Sequence, residues 1–365
     1  MDKESVRALL LRSGAVAAGF AAASSVGEEV IADMEEWVRG GNNAGMDYLA
    51  RHTQLKKDPG NTLPGVCTVI SLAFSFNPSA ERDSSLPVIA SYALGDDYHD
   101  VLRKRLAPIV ESLRLDMGGD WRICIDSAPI AERYWAVRAG IGYIGRNGMV
   151  IVEPYGSRVF LAEVLTSIPF PPDKPASGNC RGCGRCVEVC PGNALSPDGK
   201  VDCRRCLSYL TIEHRGEWLP EMMETMHTPA GKTTLFGCDR CVSVCPHNLT
   251  SPPSRIEEFA LRESYSMLTA SRAASLKREE FAPLFRGSAI KRTKYDGFLR
   301  NALNLSIPEG GASEKLSQQR CRGNLFRRDG MKITEQTQQP VCFRICFIIA
   351  GNLTQDWFGI LLHHP

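Results

Sequence analysis

Cys180, Cys183, Cys186 and Cys190, with Pro191 directly after, form a complete C-x2-C-x2-C-x3-C-P run. Cys238, Cys241 and Cys245, followed by Pro246, form a shorter one. Three thiolates at this spacing share one tight loop and reach three corners of a cubane iron–sulfur cluster. The cysteine before the proline then ligates the other cluster of a two-cluster module. This is low-potential, one-electron chemistry. Such a module needs eight thiolates and the two runs supply seven, so the eighth falls to Cys203 or Cys206, between which spacing does not choose. Zinc ribbons also use C-x2-C pairs, but a zinc site closes on four ligands and gives no reason for three cysteines at x2-x2 spacing before C-P. Cys67 and Cys124 read as buried small residues in strands. Cys321, Cys342 and Cys346 complete the fourteen and lie in an unpatterned tail.

The elements that must position these thiols divide the chain into four. Residues 1–170 read as one α/β unit: an amphipathic helix ending near Gly14, a short buried strand, and an apolar β-branched strand over 66–75. Leu102, Leu106, Ile109, Val110 and Leu113 share one face of a helix over 98–115. A strand over 121–126, a helix over 128–139 stopped by Gly140, and two strands over 149–152 and 159–165 joined by a turn at 154–157 complete the unit. Pro169, Pro171, Pro172 and Pro175 mark a linker into a cysteine-rich module over 171–253, which encloses a helical segment over 203–214. Polar helical segments follow over 254–303. Residues 304–365 change character and carry no readable fold.

Bulk composition constrains little. The formal charge of +2 announces no global nucleic-acid or membrane field, so any basic docking surface is local. No window holds the roughly 18 apolar residues that a membrane span requires. Clustered thiols of this kind imply a reducing cytoplasm. The glycines at 142, 145 and 148 follow a helix and open a strand, the reverse of the dinucleotide fingerprint; a tight turn or the close approach of a bulky cofactor suits them better.

Read in order, GMDYLAR (45–51), SYALGDDYH (91–99), CIDSAP (124–129), AGIGYIGRN (139–147), the full cysteine run, RCLSYLTIE (205–213), FGCD (236–239) and RNAL (300–303) resemble the epoxyqueuosine reductase family over about residues 1–303. The resemblance implies an α/β (α+β) cobalamin-binding catalytic domain joined to a ferredoxin-like module with two [4Fe-4S] clusters. It implies a monomeric oxidoreductase that reduces epoxyqueuosine to queuosine at the wobble position of tRNA with a GUN anticodon, the last step of queuosine formation, fed by an unidentified low-potential electron donor. It matches Cys206 to the family's lone intermediate ligand. One cluster would then use Cys180, Cys183, Cys186 and Cys245, the other Cys190, Cys206, Cys238 and Cys241, leaving Cys203 as a spare thiol.

The same resemblance places the proton donor at Asp126. Its position between strand and helix also suits an N-cap, or the C-terminal edge of an open α/β sheet, where sites form. Tyr98, His99, Val150, Leu161, Ser208 and Asp239 are candidate cobalamin contacts, with helix capping the alternative for the Asp97-Tyr98-His99 start and local turn bonding for Ser208 and Asp239. For tRNA, the stretch 286–300 sets five basic residues and two aromatics, Tyr295 and Phe298, against one acid, suited to phosphate contact and stacking; Lys291, Arg292 and Lys294, with Arg215, are the candidates. Two other readings compete. A reductive dehalogenase pairs the same cofactors but typically carries a twin-arginine export signal, which this sequence does not show. A ferredoxin fused to an inert domain leaves the ordered 1–170 likeness unexplained.

Overall fold

The computed structural model of the chain describes residues 1–80 and 82–306; the tail cysteines lie outside them. The amphipathic opening forms α1 (Lys3–Leu11), capped by Asp2 and burying Val6 and Leu10, and the short strand β1 (Ala17–Ala22) follows. After α2 (Glu28–Arg39) and α3 (Asp47–Lys56), the β-branched run folds as β2 (Thr68–Ser75), buried along its whole length. Then come β3 (Val88–Ile89), α4 (Tyr98–Met117), β4 (Trp121–Cys124), α5 (Glu132–Arg138), β5 (Tyr143–Ile144), β6 (Val150–Ile151) and β7 (Val159–Thr166).

The main sheet has the order β1-β2-β7-β4, and every pair in it is antiparallel. Strand periodicity sends Ile70, Leu72 and Phe74 toward α1 and α4, where they meet Phe20, Leu102, Leu106 and Phe160. Val69 and Leu165 face the opposite side and pack with Trp37 and Trp135 from α2 and α5. Both faces are therefore covered by helices, and Gly19 is required where α5 ends against β1. A Cβ there would stand 1.9 Å from the Ala139 carbonyl oxygen and 2.7 Å from Ile141 Cγ2.

Four expectations need correction. The antiparallel sheet makes this an α+β unit, so the edge rule for open parallel sheets does not place Asp126. The 149–152 and 159–165 strands form no hairpin: β6 pairs with β5 while β7 enters the main sheet. Helix α5 begins only at Glu132, because Pro129 disfavours helical geometry at Ala128, and Asp126 lies too far upstream to cap it. Cys67 is exposed, just ahead of β2, whereas Cys124 is buried as expected.

The cysteine-rich stretch contributes α6 (Arg185–Glu188), a 3-10 turn at Cys203–Arg205, α7 (Leu207–Ile212), α8 (Pro220–Met226), β8 (Thr234–Phe236), α9 (Arg240–Ser243) and α10 (Pro246–Leu249). The remaining helices are α11 (Glu263–Ser266), α12 (Ala270–Ala274), α13 (Arg278–Leu284) and α14 (Lys294–Asn304). The cores cross the expected boundaries. Trp37 and Trp135 share one core with Cys203, Leu210 and Met226, while Ile89 and Leu94 share another with Phe236, Phe285 and Phe298. β3 pairs in parallel with β8 and stitches the first unit to the module. Among the described residues no helix is long and apolar enough to cross a membrane.

Candidate active site

The two cysteine runs fold alike. Each places a short helix across the cysteine before its last, α6 across Cys186 and α9 across Cys241, and the two helices pack together. The thiols then sort into two quartets. Cys186 and Cys245 each lie within electrostatic reach of Cys180 and Cys183, and all four line one small cavity with Arg146, Arg181, Arg185 and His247. Cys241 lies in reach of Cys238, Cys206 and Cys190 and, more weakly, of Cys186 in the first group; Cys238 lies in reach of Cys206 and Cys190, and Cys206 of Cys190. The cysteine before each proline has thus crossed to the other run's group. Burial pushes the Cys206 thiol up to about 11 and Cys238 up to about 12. Metal binding takes up such thiols as thiolates. Cys203 is fully buried in the core below, beside Arg204 and Tyr209. Among the described residues no three His, Cys, Asp or Glu side chains converge as ligands of a single ion would. Cys183 is exposed, so the first quartet is the outer one.

Asp126 sits just past β4, 3% exposed, with φ 53°. Its Oδ2 accepts a hydrogen bond from the Tyr98 hydroxyl at 2.6 Å and lies 3.0 Å from His99 Nε2. His99 Nδ1 in turn stands 2.7 Å from Asp97 Oδ1. Burial alone would lower the imidazole pKa, but the bonds to Asp126 and Asp97 outweigh it and raise it to about 10. His99 is therefore protonated at neutral pH and donates from both nitrogens. The capping reading of the Asp97-Tyr98-His99 start holds: Asp97 caps α4 by accepting the His99 N–H at 3.1 Å, and the first turn carries Tyr98 and His99 onto Asp126.

The other predicted residues have partners of their own. Tyr98 stacks on Phe160 at 4.4 Å between centroids, whereas the half-buried Leu161, next along β7, belongs to the opposite face and joins Val150 in a separate apolar cluster. Asp239, adjoining Cys238, accepts the Ser91 N–H at 2.5 Å, and Ser91 opens the segment that leads to Tyr98. Ser208 is buried on α7, two residues past Cys206; its backbone carbonyl accepts from Thr211 Oγ1 at 3.3 Å, and that hydroxyl also accepts the Gly237 N–H at 3.0 Å.

The basic candidates form one electrostatic cluster. Lys294 has its pKa lowered first by burial and then by Arg215, Arg292 and Lys291. Lys291, Arg292 and Lys294 line a cavity of about 560 Å³ that also exposes Asp97, His99 and Tyr295. Their availability differs. Arg292 holds Glu213 with two bonds of 2.8 Å, and Arg215 donates to the carbonyls of Ile212, Arg292 and Thr293. Both brace the wall from which Lys291 and Lys294 project. Phe298 is fully buried in the core, so it is no stacking platform.

Sequence reasoning missed two acids. Glu132, at the start of α5, accepts the Asp126 backbone N–H on Oε1 at 2.7 Å. Glu163 on β7, fully buried, accepts from Ser71 Oγ at 3.0 Å. A charged residue inside the otherwise apolar strand 159–166 was the available signal for Glu163.

Two family profiles match. One, described as "4Fe-4S double cluster binding domain", covers residues 179–248, and one described as "Epoxyqueuosine reductase QueG, DUF1730" covers residues 56–127. The epoxyqueuosine reductase of Cyclobacterium marinum is 36% identical over 278 residues, covering 75% of this chain and 87% of that one. The Escherichia coli K12 epoxyqueuosine reductase is 34% identical over 286 residues, covering 76% and 73%. A crystal structure of epoxyqueuosine reductase with an epoxyqueuosine-modified tRNA-Tyr stem loop superposes with a TM-score of 0.74 at 26% identity, over 83% of this chain and 80% of that one. A Bacillus subtilis epoxyqueuosine reductase whose catalytic aspartate loop is swung out of its active site gives 0.73 at 26% identity over the same shares.

Proposed function

The chain belongs to the epoxyqueuosine reductase family, and from that premise we infer that it reduces epoxyqueuosine to queuosine in tRNA, with cobalamin at the Asp126 site and a [4Fe-4S] cluster on each thiol quartet. The reaction breaks both C–O bonds of the epoxide, forms a carbon–carbon double bond and releases the oxygen as water, consuming two electrons and two protons. The chemistry supplied by bound cobalamin and clusters is low-potential electron delivery, one electron at a time, to a strained C–O bond.

The donor sets fit these groups. The cluster ligands are Cys180, Cys183, Cys186 and Cys245, then Cys190, Cys206, Cys238 and Cys241, with Cys203 in a packing role. Cobalamin would lie against Asp126, Tyr98, His99, Val150, Leu161, Ser208 and Asp239, a set that runs from the apolar Val150–Leu161 patch to the turn beside Cys238.

The observation that carries this reading is the bonded row Asp97–His99–Asp126, closed by Tyr98. It gives a buried acid a proton source. The proton that Asp126 delivers to the departing oxygen comes to its carboxylate across the 3.0 Å contact from His99 Nε2. Asp97 keeps the imidazolium charged and oriented, and Tyr98 fixes the carboxylate from the other side. Lys291 and Lys294, on the wall of the neighbouring cavity, supply phosphate contacts that bring the modified nucleotide toward His99. The exposed Cys183 makes the outer quartet the entry point for electrons from a low-potential carrier. A reducing cytoplasm suits both the thiols and the substrate.

The test is anaerobic reconstitution and reduction of tRNA bearing epoxyqueuosine, with and without cobalamin. Queuosine that forms only with cobalamin is the expected result; clusters without cobalamin binding would instead mark a simple electron carrier. Asp126→Asn should keep both clusters and bind cobalamin yet lose on the order of 100-fold or more in turnover; full activity removes the proton-donor role.

A further inference from the structure

The segment 125–131 that carries Asp126 belongs to neither strand nor helix. Its internal backbone bonds are short-range ones, Ser127 N–H to the Ile125 carbonyl at 2.5 Å and Ile130 N–H to the Ala128 carbonyl at 2.8 Å. Within it Asp126 adopts φ 53°, a left-handed conformation that a residue with a Cβ keeps only when its surroundings impose it. Tyr98 and His99 hold the far end of the side chain. Those two bonds hold one carboxylate oxygen at the far end of the side chain. At the peptide itself, Glu132 Oε1 accepts the Asp126 N–H at 2.7 Å.

Glu132 is an unusual residue to spend on a backbone N–H. It is 7% exposed, and behind it on β7 lies the fully buried Glu163. The ionisable groups facing it are Asp126 from the loop, Cys124 from β4, Glu163 from β7, Lys56 from α3, His99 from α4 and its own neighbour Arg133. Burial, and then the nearby Asp126, push its pKa up to about 8. Its place at the first turn of α5 favours an acceptor aimed at preceding N–H groups, and α5 itself is anchored by Trp135 in the core. Ile125, Ile130 and Ala131 pin the loop's ends in the cores, and the bond ties the strained peptide between them to a rigid element.

We propose that Glu132 is the positioning residue of the proton-donor loop, latching the Asp126 peptide so that its carboxyl stays between Tyr98, His99 and the substrate. The latch rests on the reading of Asp126 as proton donor, but its own signature is structural and can be read separately. The experiment is hydrogen–deuterium exchange on the reconstituted enzyme, comparing wild type, Glu132→Ala, Glu132→Gln and Glu132→Asp, with turnover measured on the same samples. Glutamine keeps an acceptor oxygen at the same reach; aspartate is one methylene short.

Glu132→Ala should raise exchange in 125–131 by on the order of tenfold while β2 and β7 keep their protection. It should lower kcat by on the order of 100-fold, the usual penalty of a reacting group misplaced by about 1 Å, with KM for tRNA within about twofold. Glu132→Gln should restore both readings, and Glu132→Asp should show a milder form of the alanine signature, which decides the matter if the alanine variant loses iron. Unchanged exchange in 125–131, or an equal rise across β7, overturns the latch. So does a raised exchange with undiminished kcat in an enzyme that Asp126→Asn inactivates. Should Asp126→Asn instead prove fully active, the proton-donor reading falls while the exchange data still decide whether Glu132 holds the loop.

Discussion

Replacing His99 by glutamine removes a buried positive charge from between two carboxylates, and the size of the effect follows from the structure. The imidazole is 18% exposed, 2.7 Å from Asp97 and 3.0 Å from Asp126. Burial works against its charge, yet the two bonds raise its pKa from 6.5 to about 10. The folded-state value lies above the unfolded one, so protonation of His99 stabilises the fold. That contribution is complete below about pH 6.5, declines as pH rises and is gone above about pH 10. The gap between 6.5 and about 10, at about 1.4 kcal/mol per pH unit, sets a ceiling of about 5 kcal/mol. Breaking one side of a buried pair ordinarily costs about 3–5 kcal/mol, the same range. Urea unfolding of anaerobic wild type and His99→Gln between about pH 6 and pH 10.5 measures it. Wild type should lead by about 3–5 kcal/mol near pH 6.5, with the lead shrinking by up to about 1.4 kcal/mol per pH unit. A lead that stays flat or widens toward pH 10 would refute the reasoning, because then His99 is not the charge that the two carboxylates hold.

Three other perturbations separate the remaining assignments. Cys206→Ala should cost roughly half the cluster iron, whereas Cys203→Ala should keep both clusters; equal iron loss in the two variants undoes the choice of ligand. Lys291→Ala and Lys294→Ala should each weaken tRNA binding and lower the slope of log affinity against log salt by about one, with kcat little changed. An unaltered salt slope would show that the lysines face no phosphate. Gly19→Ala forces a methyl group against the Ala139 carbonyl and should lower stability by roughly 1–3 kcal/mol, read as a fall in unfolding midpoint with the clusters intact; an unchanged midpoint means α5 can move away from β1.

The thiol quartets were legible because ligand spacing is local: a cluster's reach is a few residues of loop, and the cysteine runs print it directly. The eighth thiol was not, because Cys203 and Cys206 differ only in which way a 3-10 turn and α7 aim them, one into the core and the other toward Cys190. Helix and strand periodicity found β2, α4 and β7, whose burial repeats along the chain. It misjudged strand pairing, since β6 and β7 look alike in sequence and differ only in the partners that tertiary packing gives them. Asp126 is a candidate only through family likeness, while Glu132 escapes notice because its partner is a backbone N–H, which leaves no mark in the residue types. The basic stretch 286–300 shows its charge in the residue types alone. Only the folded chain tells Arg292, spent on Glu213, from Lys291 on the cavity wall.

The exchange of the pre-proline cysteines between quartets has a consequence for how the protein is made. On the proposed ligand sets, one quartet waits for Cys245 and the other for Cys241, so neither is complete until almost the whole cysteine-rich stretch has left the ribosome. The two then become complete within a few residues of each other. A chain cut short after α8 would hold five of the eight thiols and no finished site, so iron loading should behave as a single late event rather than two successive ones. The nascent chain would have the main sheet already synthesised before the first iron could be retained, and a pause or break in translation before residue 241 would yield a protein with neither cluster rather than one with half its redox chain.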